Sequence, residues 1–174
     1  METPRAPTTT PRHIDAVDAA KYLRADLRSA FPEVKFHVRL SRSAGGSSLT
    51  VRWTAGPSFR QVDVLAQRYA GARFDGLDDS ETPRTDERAG ERVQYGSKYV
   101  HCYRALPNKV ELEHAVHEAI VARCACERLG TLWRFGNEWV WTIAQRIVAA
   151  TDFTVESPTQ VLDAWLAGTR QVWS

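Results

Sequence analysis

The sequence predicts an α+β fold. Its centre is a small antiparallel three-stranded sheet in the order helix–strand–strand–helix–strand, packed with helices and followed by a helical C-terminal region. Three observations carry this. Apolar residues recur at three- and four-residue spacing from Val17 to Phe31. Two segments alternate apolar and polar residues strictly across a Gly-Gly turn. Helix starts are marked by capping residues at Asp15, Ser58, Asn108 and Ser157.

Met1 to Arg12 is rich in Pro and Thr without apolar periodicity, and residues 1–13 read as a disordered tail. Asp15 can cap a helix running to about Ala30, with Val17, Ala20, Leu23 and Leu27 on its apolar stripe, and Pro32 ends it. From Lys35 to Arg42, Phe36, Val38 and Leu40 point one way and Lys35, His37, Arg39 and Ser41 the other. Leu49, Val51 and Trp53 repeat the pattern against Thr50, Arg52 and Thr54, so Trp53 is expected in the core. Gly56-Pro57 stops this strand, and Ser58 with Gln61 forms a capping box for a helix closed by Gly71. Residues 74–91 are acidic and turn-rich and read as an exposed loop, after which Val93–Leu106 holds a third strand. A crossover would set that strand parallel to the second. Placing it beside the first gives the order 2-1-3. Asn108 with Glu111 opens a helix to about Leu129, Thr131 opens another, and Ser157-Pro158 with Gln160 opens a last one ending at Gly168. Residues 14–106 thus form the α+β domain and residues 107–174 a helical extension packed on the same core.

Composition narrows the function classes. The chain has 174 residues, 43% hydrophobic and 25% charged, the proportions of a soluble globular domain. No apolar run approaches the ~20 residues that cross a bilayer, and the N-terminus has no hydrophobic secretory core. Three cysteines make no even disulfide framework and fit a reducing compartment, which places the protein in a cytoplasm. Charge is uneven: residues 1–74 carry a net +6, residues 75–92 a net −4, and the rest balances. This reads as a partner surface with its counter-charge, or as two solvated faces.

Lys35-Phe-His-Val-Arg, Gly45-Gly-Ser-Ser, Leu49-Thr-Val-Arg-Trp53-Thr, Gly56-Pro57, Phe74-Asp75-Gly76, Val93-Gln-Tyr-Gly96 and Tyr99-Val-His-Cys-Tyr-Arg104 follow one another along the chain. Together they resemble the large polyvalent protein-associated domain of type 29, over about residues 14–105. Leu77 departs from the pattern, standing where a methionine is expected. The resemblance implies a protein of phages, plasmids or conjugative elements, acting in a bacterial host cell in establishment or counter-defence. It supplies no reaction and no catalytic residue.

The polar face of the hairpin presents Lys35, His37, Arg39 and Arg52. If Tyr99, His101 and Tyr103 share it, cations that track phosphates stand beside rings that stack bases. The other pitch would place Lys98, Val100, Cys102 and Arg104 there instead. Asp75, Asp78, Asp79 and Glu81 could hold a divalent cation, although the cluster lacks the spacing of a calcium loop, and Asp75-Gly76 also makes a simple turn. Glu111, His114 and Glu118 share a helical stripe with His117 beside it, which is half of a dimetal carboxylate motif with no second copy. Cys124-Ala-Cys126 is too close for a redox or zinc hook, and Cys102 has no orienting partner in the sequence beyond His101 or His37. Trp133, Trp139 and Trp141 cannot all share one stripe of a single helix. Trp139, Trp141 and Trp173 are therefore candidate anchors for a partner protein.

With no catalytic constellation and no cofactor motif, the first reading is a non-enzymatic mobile-element accessory protein that binds a bacterial host protein. The alternative is a nucleic-acid-binding accessory factor using the basic hairpin face. A metal-dependent enzyme built on the acidic loop is the third.

Overall fold

The computed structural model describes residues 10–75 and 80–172, with Phe74 and Asp75 described by backbone alone. The chain opens with strand β1 (Arg12–Ile14) and helix α1 (Ala16–Ala30). Asp15 caps α1 as the sequence predicts, its carboxylate accepting from the backbone N–H of Val17 and Asp18, both at 2.8 Å. Ala19, Ala20, Leu23 and Leu27 form the buried stripe. Residues 1–9 of the expected tail lie outside the described residues, and Arg12 and His13 belong to a strand.

Strands β2 (His37–Ser43) and β3 (Gly46–Thr54) form the expected antiparallel hairpin, in a register that places His37 opposite Arg52 and Leu40 opposite Leu49. Leu49, Val51 and Trp53 are buried on one face of β3. The capping box at Ser58 and Gln61 starts helix α2 (Phe59–Ala66), which a 3-10 turn at Gln67–Tyr69 extends.

The stretch expected as an acidic loop is partly ordered strand. Strands β4 (Ala72–Asp75) and β5 (Ser80–Pro83) pair antiparallel, β6 (Asp86–Arg88) and β7 (Glu91–Tyr95) form a second hairpin, and β1 adds to β7 in parallel. Gly96 separates β7 from β8 (Ser97–Ala105). In the main sheet the order is β2-β3-β8, so the third strand lies beside the second strand and not the first. The two strands run the same way. Gly46 at the start of β3 lies against Lys98 at the start of β8, and Ala55 just past β3 donates to Ala105 at the end of β8 at 2.8 Å. The parallel relation expected from the crossover holds, but on the other edge of the hairpin, so the sheet is mixed and not the antiparallel one expected.

Helix α3 (Lys109–Arg123) follows, without a side-chain cap from Asn108. The helix expected to open at Thr131 begins later. Residues 127–139 form a small meander of β9 (Glu127–Leu129), β10 (Leu132–Phe135) and β11 (Glu138–Trp139), turning at Gly130 and Gly136 with positive φ. Helices α4 (Val140–Ala150) and α5 (Pro158–Leu166) complete the chain, α5 with the full capping box of Ser157 and Gln160. Among the described residues no helix is long and apolar enough to cross a membrane.

The chain divides into two compact units. The first holds the chain up to Pro32, Phe36–Arg52 and Asp63–Tyr103, and the second holds Glu33–Lys35, Trp53–Val62 and the chain from Arg104 onward. The first unit's core includes Leu23, Leu27, Leu49, Val51, Tyr69 and Val93. In the second, Val116, Ile120, Val140, Ile143, Ile147, Val161 and Leu162 pack together, with Trp133, Phe135 and Trp165 against them.

Candidate nucleic-acid interface

Strand alternation builds the candidate site in the first unit. His37, Arg39 and Arg52 are exposed, and the hairpin register sets His37 beside Arg52 and Arg39 beside Thr50 on one face. On β8 the structure decides between the two pitches left open by the sequence. Val100 is buried, whereas Tyr103 is 54% exposed and its ring lies under the Arg52 guanidinium, 5.6 Å from ring centre to Cζ. Tyr99 and His101, with ring centres 6.4 Å apart, continue the same outward row. Cations and flat rings therefore share one sheet face. Lys35 is exposed just before β2 but belongs to the second unit.

Each edge of the sheet carries a groove. At the β2 edge, Arg24 of α1 donates to the Val38 carbonyl at 2.8 Å, and the groove is lined by Phe36, His37, Arg39, Thr50 and Arg52. At the β8 edge, Gln67 donates to the Val100 carbonyl at 3.1 Å, and a cleft opens between β8 and the β4–β5 hairpin. Gly71 sets that hairpin close. Its N–H donates to the Ser97 carbonyl at 2.7 Å, and a Cβ at this position would stand 1.8 Å from the Tyr95 carbonyl oxygen. No side chain fits there.

The other candidates have structural occupations. Cys102 faces inward near Asp63; burial, and then the neighbouring carboxylate, push its thiol up to about 12, which removes the thiolate a nucleophile needs. Cys124 and Cys126 are free thiols, both raised chiefly by burial. Glu81 pairs with Lys98 at 2.6 Å and accepts from the Tyr99 hydroxyl, bonds that hold its carboxyl below the ordinary value. Asp78 and Asp79 lie outside the described residues, as does the side chain of Asp75. His114 pairs with Glu118 at 3.5 Å, and His114 and His117 pack on the ring of Trp141 at 6.2 and 5.7 Å. Burial, and then the charge of His114, lower His117. Glu111 is exposed. Among the described residues no group of three or more His, Cys, Asp or Glu is arranged to hold a metal ion.

Of the tryptophan anchors, Trp141 is half-buried, Trp139 is 45% exposed, and Trp173 lies outside the described residues. The meander register puts Trp139 opposite Arg134 and Leu129 opposite Leu132, so Leu129, Leu132 and Trp139 share its outer face.

Two partly buried polar networks escaped the sequence reading. In the second unit Arg104 donates to four main-chain carbonyls: Ala55 at 3.1 Å, Ala149 at 3.0 Å, and Gly56 and Thr151 both at 2.7 Å. Its guanidinium also lies 5.1 Å from the Phe153 ring centre. Burial lowers Arg104 to about 10 against the opposing pull of Asp152. Asp152 accepts from Gln61 at 2.9 Å and from Thr154. Burial raises its carboxyl, and the bonds from Thr154 and Gln61 with the charge of Arg104 outweigh that, leaving it lowered. In the first unit the Tyr69 hydroxyl donates to Asp26, Arg88 donates to Tyr69 at 3.0 Å, and the Arg88 guanidinium stacks 4.1 Å from the Tyr22 ring centre. One signal was available: Arg104 stands on the inward pitch of β8, where a cation needs partners.

Residues 14–107 match the family model of large polyvalent protein associated domain 29. No curated protein and no solved structure matches the chain. The matched segment contains the hairpin, Gly56-Pro57 and β8 through Arg104, the elements that build the ringed basic face and start the carbonyl clamp. The chain belongs to the large polyvalent protein-associated domain 29 family, which makes it a mobile-element-associated protein.

Proposed function

We propose that this protein is a nucleic-acid-binding accessory factor of a mobile element and engages its ligand through the exposed face of β2, β3 and β8. The observation that carries the reading is Arg52 stacked over the exposed Tyr103 ring, with His37 and Arg39 on one side and His101 and Tyr99 on the other. Guanidinium groups neutralise phosphates, and exposed rings stack bases at roughly 1–3 kcal/mol each. Among the described residues no carboxylate forms an ion pair with Arg39 or Arg52, and both side chains are exposed.

The test replaces Arg39 and Arg52 together with Gln. Exposed substitutions change stability by only about 0.5 kcal/mol, so the variant should fold. Its affinity for a labelled single-stranded oligonucleotide should fall, and the salt slope should drop by about 0.7 for each lost phosphate contact. A folded variant that binds like the parent would remove the sheet face from consideration.

A second reading, binding of a bacterial host protein in counter-defence or establishment, is favoured by Leu129, Leu132 and Trp139 on one face of the meander. Aromatic anchors of this kind concentrate binding energy in protein interfaces. Trp139→Ser should then abolish capture of that partner and leave nucleic-acid affinity unchanged.

A further inference from the structure

Resting on the sheet-face reading, we infer that the cleft at the free edge of β8 holds the phosphates of the same strand beyond the sheet, and that the ligand is an unstacked single strand and not a duplex. The cleft is about 850 Å³ and is lined by Arg73 of β4 and by Arg84, just past β5. Both arginines are exposed, and neither forms an ion pair with a described carboxylate. Thr82 and Thr85 add hydroxyls to the same wall. Tyr99 and His101 line the cleft and also belong to the outward row of β8, which makes the two surfaces continuous.

Glu81 of the same hairpin has its charge matched by Lys98 at 2.6 Å and is further held by the Tyr99 hydroxyl. The ring spacing selects the strand state. Tyr99 and His101 stand 6.4 Å apart, nearly twice the ~3.4 Å rise per base of one strand in B-DNA. Neighbouring bases of a duplex cannot each cover one ring, and their faces are already stacked on one another. An unstacked strand can place successive bases on successive rings. Gly71 holds the hairpin at the distance the cleft requires, through its bond to Ser97 and its contact with Tyr95.

The experiment measures fluorescence anisotropy of the full chain with oligothymidylates of rising length and with a blunt hairpin duplex, for the parent, for Arg73→Gln with Arg84→Gln, and for Arg39→Gln with Arg52→Gln. We expect the duplex to bind at least tenfold more weakly than the single strand. The cleft variant should reach its affinity plateau at a shorter oligothymidylate, with the salt slope reduced by about 1.4 for two lost contacts. Equal affinity for duplex and single strand, or a cleft variant with the parent's plateau and slope, overturns the inference. If only the Arg39 and Arg52 variant loses binding, the cleft fails and the sheet-face reading stands. A parent that binds neither probe overturns the sheet-face reading. Should the double variant melt early, Arg73→Gln alone carries the comparison, with about half the change in slope.

Discussion

Trp53 is 2% exposed, and its indole N–H donates to the Pro57 carbonyl at 3.1 Å, so one side chain fills the core and also ties down the turn after β3. Trp53→Ala should cost about 3–5 kcal/mol in chemical denaturation, as large-to-small core changes do. A loss no larger than that of a surface change would mean the ring is dispensable to the core. Arg104 acts by reach where Trp53 acts by volume. A lysine keeps the charge but cannot span four carbonyls with one ammonium group, so Arg104→Lys should cost about 1.5–3 kcal/mol, the scale of charge-assisted bonds. Asp152 gives a pH signature. Its carboxyl is lowered in the folded chain, so it contributes stability above the ordinary carboxylate value of 3.8, and that contribution is lost as the pH falls through the lower folded value. Asp152→Asn should therefore flatten the acid side of the stability profile while leaving its slope near neutrality unchanged, as urea midpoints across pH would record. Cys102, pushed up to about 12, should resist alkylation at mildly alkaline pH in the folded chain and react once it is unfolded.

Gly71 belongs to the scale of elements, because it decides how the β4–β5 hairpin sits against the turn between β7 and β8. A Cβ at 1.8 Å from the Tyr95 carbonyl oxygen meets backbone, which cannot rotate away. Gly71→Ala should destabilise the chain by about 1–3 kcal/mol or more, the range of an overpacked site, read as a lowered melting temperature. The same elements show what local sequence can and cannot say. The ends of α1 and α5 were legible because Asp15 and Ser157 make the bonds that their chemistry offers. Asn108 has the right chemistry and makes no cap bond, so residue type alone misleads there. The β2–β3 hairpin was legible because one of its faces is buried. Strands β5 and β6 were not, since Ser-Glu-Thr-Pro and Asp-Glu-Arg leave no apolar alternation to find. The meander at residues 127–139 was hidden because its strands are only two to four residues long, too short for alternation to show, although Trp133, Trp139 and Trp141 fit no single helical stripe and Gly130 and Gly136 mark its turns. Which edge of the hairpin receives β8 depends on long-range packing, and no local pattern encodes it.

At the scale of the molecule, two cores form from an interleaved chain: β3 and β8 each begin in one unit and end in the other. The candidate face was legible in part. Alternation alone placed His37, Arg39 and Arg52 outward, but the pitch of Tyr99, His101 and Tyr103 needed Val100 to be seen buried. Family membership accounts for the segment that builds this face, and the clamp carbonyls of Ala149 and Thr151 lie beyond the matched residues. Nucleic-acid binding by the face of β2, β3 and β8 is decided by the salt dependence of single-strand binding in the parent and in the Arg39→Gln, Arg52→Gln variant. The parent's affinity should fall steeply with salt, and the folded variant should bind more weakly with a slope smaller by about 1.4. A folded variant with the parent's affinity and slope would contradict binding at this face.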